Sequence, residues 1–165
     1  METWAIEQIA NQDAATRAQL LDLNNANAHQ TSLLTKPVWD GMVENAFAAI
    51  CVDPPGSLLI AFDQDAELES PNFTWFRSRL LRFVYVDRIV VGADHRGQGI
   101  ASRLYDELFK RALAAGHDLI ACEVNLIPPN PQSDAFHARM GFCEVGRATQ
   151  PDRGKTVRYL TRSIV

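Results

Sequence analysis

Residues 86–101 read Val86-Asp87-Arg88-Ile89-Val90-Val91-Gly92-Ala93-Asp94-His95-Arg96-Gly97-Gln98-Gly99-Ile100-Ala101. A β-branched run passes through a short polar turn into a helix whose first residues carry almost no side chain. A helix N-terminus points unpaired backbone N–H groups outward, at the positive end of the helix dipole. Glycines let a ligand approach that backbone closely. Arg96 adds a guanidinium whose fork matches a phosphate, and Ala101 is small enough for a pyrophosphate to lie against the helix. The junction therefore reads as a phosphate cradle formed by Arg96, Gly97, Gln98, Gly99, Ile100 and Ala101. A P-loop is excluded, because no Lys-Ser/Thr pair follows the second glycine. A dinucleotide fold is disfavoured, because the glycine pair follows at least two expected strands rather than the first one.

Outward from this junction, strands and helices alternate irregularly. We expect strands at Trp4–Ile9, Phe47–Val52, Ser57–Phe62, Leu81–Val91, Leu119–Leu126, Phe142–Ala148 and Thr156–Ile164. Residues 53–56 form the turn of the first hairpin. Helices are expected at 13–27 with Asp13 as N-cap, at 37–45 behind Pro37, and at 96–115 with Ile100, Leu104, Leu108 and Leu113 on the apolar face. A further helix runs over 133–140 with Ser133 as cap. Residues 63–79 read as a polar loop. The fold class is α/β (α+β), with one central, mixed but mostly antiparallel sheet flanked by helices.

The chain has 165 residues, 47% apolar and 22% charged, enough for one domain with a substantial core. A net charge of −4 gives no global field for nucleic acid. Nothing approaches a membrane span, residues 1–7 lack the features of a signal peptide, and Cys51, Cys122 and Cys143 have no metal-ligand spacing. These features lead us to expect a cytoplasmic protein with reduced thiols and no structural metal. Charge is uneven. Asp63, Asp65, Glu67 and Glu69 form an acidic segment, and Arg147, Arg153, Lys155, Arg158 and Arg162 a basic one. Each reads as solvated surface or, for the acidic segment, as an attractor for a cationic substrate.

Two blocks together resemble a known family. Arg96-Gly97-Gln98-Gly99-Ile100-Ala101 is similar to the coenzyme A-binding signature Arg/Gln-x-x-Gly-x-Gly/Ala of the GNAT acyltransferases. Asn130, Ser133, Phe136, His137, Gly141 and Phe142 resemble that family's second block, Asn-x-x-Ala-x-x-φ-Tyr-x-x-x-Gly-Phe, in the right order and spacing. The resemblance covers nearly the whole chain, so 1–165 is expected to be a single GNAT-like domain. It implies acetyl-CoA as cofactor, lying where two neighbouring strands, 81–91 and 119–126, splay apart. The backbone of Ile89, Val90 and Val91 would hold the pantetheine arm, residues 96–101 the pyrophosphate, and Asn130, Ser133 and His137 would lie beside the arm and thioester. The implied reaction is direct acetyl transfer to an amine of a small molecule or another amino-group acceptor. The runner-up is a GNAT-like acyl-CoA-binding module that catalyses nothing.

The catalytic assignments remain open on sequence. An alkylammonium must lose a proton before it attacks, to a carboxylate or to a chain of waters. Asp87 and Glu123 rank equally as the carboxylate base. Asp87 interrupts an apolar stripe of Phe83, Tyr85, Ile89 and Val91 if the strand alternates without a bulge. Arg88 should then face away from it. His137 stands where the resemblance expects a tyrosine acid, and either donates a proton or packs against the cofactor. Asn125 shares a strand face with Glu123. Trp75 and Phe76 either bind an organic cation or cover the sheet edge. A homodimer is the default expected of a small cytosolic enzyme.

Overall fold

The computed structural model describes residues 4–28, 32–53 and 55–165. Pro54 of the expected 53–56 turn, and residues 1–3 of the N-terminal segment, lie outside them. One seven-stranded sheet runs through the molecule. In chain order the elements are β1 (Ala5–Gln8), α1 (Ala14–Ala26), α2 (Lys36–Asn45), β2 (Ala48–Asp53), β3 (Ser57–Asp63), α3 (Pro71–Arg77), β4 (Val84–Val91), α4 (Ile100–Ala114), β5 (Leu119–Ile127), α5 (Pro131–Arg139), β6 (Cys143–Gln150) and β7 (Lys155–Ser163). The strand order is β1-β2-β3-β4-β5-β7-β6. Every pairing is antiparallel except β4 with β5. Among the described residues no helix is long and apolar enough to cross a membrane.

The sheet separates two cores. On one face α4 lays Ile100, Leu104, Tyr105 and Leu108 against Val84, Val86, Ile120, Cys122 and Val124. On the other, α1 to α3 bring Leu20, Trp39, Phe73 and Phe76 against Phe62, Phe83, Tyr85 and Tyr159. Central strands covered on both sides read as unbroken apolar runs, and β2 and β3 do so. Asp13 caps α1 as expected, its carboxylate accepting from Thr16 N–H at 2.8 Å.

Several local expectations need correction. The expected loop over 63–79 contains α3. Ser70 caps it, Pro71 occupies its first turn, and the i, i+3 pair Phe73 and Phe76 faces the core. The helix expected from Arg96 begins at Ile100, preceded by a 3-10 turn at Ala93–His95. Leu113 is 45% exposed rather than on the buried face. Asn130, not Ser133, caps α5, its side-chain oxygen accepting from Ser133 N–H at 3.3 Å. Leu81 is 97% exposed and β4 starts only at Val84.

Two irregularities in β4 create the functional geometry. Its parallel ladder with β5 has only two register pairs, Val84 with Ile120 and Tyr85 with Ala121. Beyond Tyr85 the strands part, and the β5-facing backbone of β4 loses its strand partner. Against β3, Ile60 pairs with Arg88 and Ala61 with Val86, so Asp87 is an extra residue in a β-bulge. A bulge reverses the facing of everything after it. Ile89 and Val91 thus join Val84 and Val86 on the α4 side, while Val90 joins Phe83 and Tyr85 opposite. The stripe expected from strict alternation does not exist.

Candidate active site

A cleft of about 530 Å³ opens where β4 and β5 part. Of the residues expected to hold a cofactor, Ile89, Val91, Arg96, Gly97, Gly99, Ile100, Ala101, Asn130, Ser133 and His137 line it. Val90 and Gln98 do not line it. The bulge turns Val90 to the opposite core, and Gln98 Nε2 reaches back to the Asp94 carbonyl at 3.4 Å. Gly97 and Gly99 both adopt φ +75°, a left-handed conformation costly for other residues. A Cβ at either would meet no atom within 4 Å, so the turn faces open space. Gly99 stands at the N-cap of α4 and supplies no side-chain cap. The first-turn N–H groups are therefore available to an anion. Arg96 braces the turn, its Nε donating to the Val91 carbonyl at 3.2 Å and Nη2 to Asn27 Oδ1 at 3.3 Å. The residues present fit a bound pyrophosphate.

A second cleft, about 790 Å³, lies on the other face of the sheet between α2, the 67–70 segment and the β6–β7 turn. The two clefts share four residues: Asp87, Arg88, Glu123 and Asn125. Glu123 is held from both sides. Tyr85 Oη donates to its Oε2 at 2.7 Å and Asn72 Nδ2 to its Oε1 at 3.1 Å. Asn72 is fixed in turn, its Oδ1 accepting from Gln150 Nε2 at 2.8 Å and Tyr159 Oη at 3.0 Å. Burial pushes the Glu123 carboxyl up to about 7, and the nearby Asp87 charge adds to this, while the two hydrogen bonds hold it down. A carboxyl poised near neutrality at a junction of two clefts suits proton transfer.

The structure separates the two carboxylates that the sequence left equal. Asp87 forms a buried ion pair with Arg88, Nε to Oδ2 at 2.8 Å. The bulge brings these neighbours together, where unbroken alternation would put them on opposite faces. Arg88 also ties the site to the α1–α2 segment, donating to Asn24 Oδ1 at 2.9 Å and Ser32 Oγ at 3.2 Å. Glu123 has no cationic partner among the described residues.

His137 is buried with both ring nitrogens engaged. Its Nδ1 lies 2.8 Å from the Ser133 carbonyl, which can only accept, so that nitrogen carries the proton. Its Nε2 then accepts from Tyr105 Oη at 2.8 Å. Burial lowers the imidazole pKa, favouring the neutral ring. Burial likewise raises the Tyr105 phenol, which stays a donor. Sequence reading missed Tyr105, Tyr85 and Asn72. Tyr105 alone had a local signal, standing four residues after Ala101 on the same helix face.

Trp75 and Phe76 line neither cleft. Phe76 is fully buried, and Trp75 stacks on Tyr159 with centroids 4.2 Å apart and 18° between planes. Arg79 covers the outer face of the indole at 4.1 Å, and Gly146 leaves room for its edge. Asn125 does lie at the junction of the clefts, beside Glu123.

No curated protein matches the chain. Solved structures share its fold throughout. The NatC complex bound to Gag peptide and CoA contains a chain 13% identical, with 99% of this chain and 100% of that one covered and a TM-score of 0.75. NAA60 of Arabidopsis thaliana in complex with acetyl-CoA is 15% identical over 98% and 99% of the two chains, with a TM-score of 0.73. An aminoglycoside 6′-N-acetyltransferase complexed with coenzyme A is 14% identical over 98% and 97%, with a TM-score of 0.69. Residues 32–142 match the family model of the acetyltransferase (GNAT) family, a span that contains β4, the glycine turn, Glu123 and His137. With the splayed β4–β5 pair and the open helix N-terminus already in place, that match makes the chain a member of the GNAT acetyltransferase family.

Proposed function

We propose that the protein, working as one domain over residues 1–165, transfers an acetyl group from acetyl-CoA to a primary amine. The observation that carries this reading is the poised carboxyl of Glu123 where a phosphate-cradling cleft meets a second cleft from the opposite face of the sheet. When bound, acetyl-CoA supplies an activated thioester carbonyl and a thiolate leaving group. The N–H groups of the 97–101 turn bind the pyrophosphate. The unpaired backbone edge at Ile89 and Val91 accepts the pantetheine arm as a strand would be accepted. Asn130 and Ser133 border the arm from α5.

Acetyl transfer to an alkylammonium forms a C–N bond, breaks the C–S bond, and yields an amide, CoA thiol and one free proton. Glu123 takes the first proton from the ammonium through the acceptor-side cleft. Tyr85 and Asn72 hold the carboxylate in place and limit the rise of its pKa. Asp87, neutralised by Arg88, positions rather than abstracts. His137 keeps its proton on Nδ1 and accepts from Tyr105 Oη, so it positions the phenol, and Tyr105 O–H is the donor available to the departing sulfur.

Glu123 favours transfer over the alternative of a non-catalytic binder, since binding CoA needs no base at the cleft junction. Thermal shift with CoA, NAD and ATP, followed by thiol release from acetyl-CoA with an amine panel, tests the proposal. CoA-selective stabilisation and turnover with an amine are expected. No stabilisation at large CoA excess refutes the cofactor assignment, and stabilisation without turnover on any amine refutes the transfer.

A further inference from the structure

The acceptor-side cleft carries charge of both signs, and this constrains what enters it. Its lining includes the apolar side chains Leu34, Met42, Leu68 and Val157 beside the polar group of Glu123, Asn72 and Tyr85. Val38 on α2 also lines it and is 52% exposed, an apolar side chain open to whatever fills the space. Glu67 and Glu69 stand on one rim, and Arg153 and Lys155 stand on the rim made by the β6–β7 turn. None of these four makes an ion pair among the described residues. The Asn125 side-chain amide, which lines the cleft as Glu123 does, makes no hydrogen bond among the described residues. A polyamine in this cleft would face two uncompensated cations, and a polyanion two uncompensated carboxylates. A molecule bearing both signs suits a cleft lined by both, with its cation on the acidic side, where Glu67, Glu69 and Glu123 stand, and its anion on the basic rim.

The spacing narrows the class further. On β7, Tyr159 pairs with Glu123 of β5, and Lys155 lies four residues earlier on the same unbroken strand. Four residues of strand span about 13 Å, so the basic rim stands well beyond the base. The ammonium and carboxylate of a free α-amino acid share one carbon, a span far shorter than this backbone separation. Resting on the amine-acetylation reading above, we infer that the acceptor is a zwitterion whose amine and carboxylate are separated by an apolar body. Apolar di- and tripeptides with a free C-terminus have this chemistry. The amine lies over Glu123 with Asn125 beside it, the body rests on Val38, Met42 and Leu68, and the carboxylate meets Lys155 and Arg153.

The test measures thiol release from acetyl-CoA with three acceptors: a trileucine with a free carboxylate, the same tripeptide as its C-terminal amide, and spermidine. We expect the carboxylate form to have a KM about tenfold below that of the amide, the equivalent of about 1.4 kcal/mol, with spermidine poorest. Arg153→Ala combined with Lys155→Ala should raise the KM for the carboxylate form to that of the amide. Equal use of the two peptides, a preference for spermidine, or retention of the preference in the double variant overturns the inference while leaving amine acetylation intact. CoA-dependent stabilisation with no turnover on any of the three, or on a wider amine panel, overturns the transfer reading and this inference with it.

Discussion

Glu123→Gln separates the base from its scaffold. Burial raises the Glu123 carboxyl from 4.5 to about 7. At about 1.4 kcal/mol per pH unit, that gap corresponds to about 3 kcal/mol for keeping the group ionised in the folded protein. Solvent entering from the two clefts makes this an upper figure. The folded-state value lies above the unfolded one, so stability from the protonated form is fully present below about 4.5 and is lost as pH rises to about 7. Glutamine has the same shape and never ionises. Its oxygen accepts from Asn72, and its amide donates to Tyr85 Oη, which can turn to accept. Urea unfolding of both proteins from pH 5 to pH 8 should therefore show the variant gaining about 2–3 kcal/mol on the wild type across that interval, and little more above it. In the same variant, acetyl transfer should fall by about 10²–10⁴-fold, and the rise of wild-type kcat/KM through pH 7 should disappear. A stability difference that does not change with pH would refute the burial argument. An unaltered pH–rate profile would refute Glu123 as the base.

Gly99→Glu forces a side chain into a position with φ +75° and puts a carboxylate at the α4 N-terminus; CoA-dependent stabilisation in thermal shift should vanish, and its retention would count against the turn as the pyrophosphate site. Tyr105→Phe leaves His137 Nε2 without its donor, so kcat should fall by about 10²-fold or more if the phenol carries the proton to sulfur, with CoA affinity by titration little altered; unchanged kcat would remove Tyr105 from the proton path. Trp75→Ala strips the stack from Tyr159 and should cost about 3 kcal/mol, a Tm drop of roughly 6–12 °C. Its acceptor KM should be unchanged, and a raised KM without loss of stability would return Trp75 to the substrate site. As pH falls below about 6.5, His137 must charge against its buried setting; a His137→Gln variant, plotted as its unfolding free energy minus that of the wild type, should gain as pH drops from 7 to 5, and a flat difference would refute the neutral, buried ring.

Whatever depends on neighbours along the chain was legible in the residues alone. The β-branched run into Gly97 and Gly99 specified a strand, a left-handed turn and an uncapped helix start, because φ preferences and end-group N–H donors are local properties. The spacing of Asn130, His137, Gly141 and Phe142 placed the second family block on a short helix and its stop. The arrangement of side chains at the cleft came from contacts distant in sequence. A single extra residue at Asp87 reversed the facing of Ile89 and Val91, and no composition or period announces such a bulge, since it is set by register against β3. The same shift paired Asp87 with Arg88, and because of that ion pair Asp87 is given no part in the proposed proton abstraction. Glu123 owes its hydrogen-bonded, buried setting to Tyr85 and Asn72, 38 and 51 residues away in sequence, and to β7 pairing beside β5. His137 met Tyr105 across 32 residues. Trp75 stacks on Tyr159 of β7, where the aromatic face of α3 meets an aromatic side chain of the sheet. Local patterns set the open glycine turn at the start of α4, whereas long-range register and burial brought Asp87, Arg88, Glu123 and Asn125 to the junction of the two clefts.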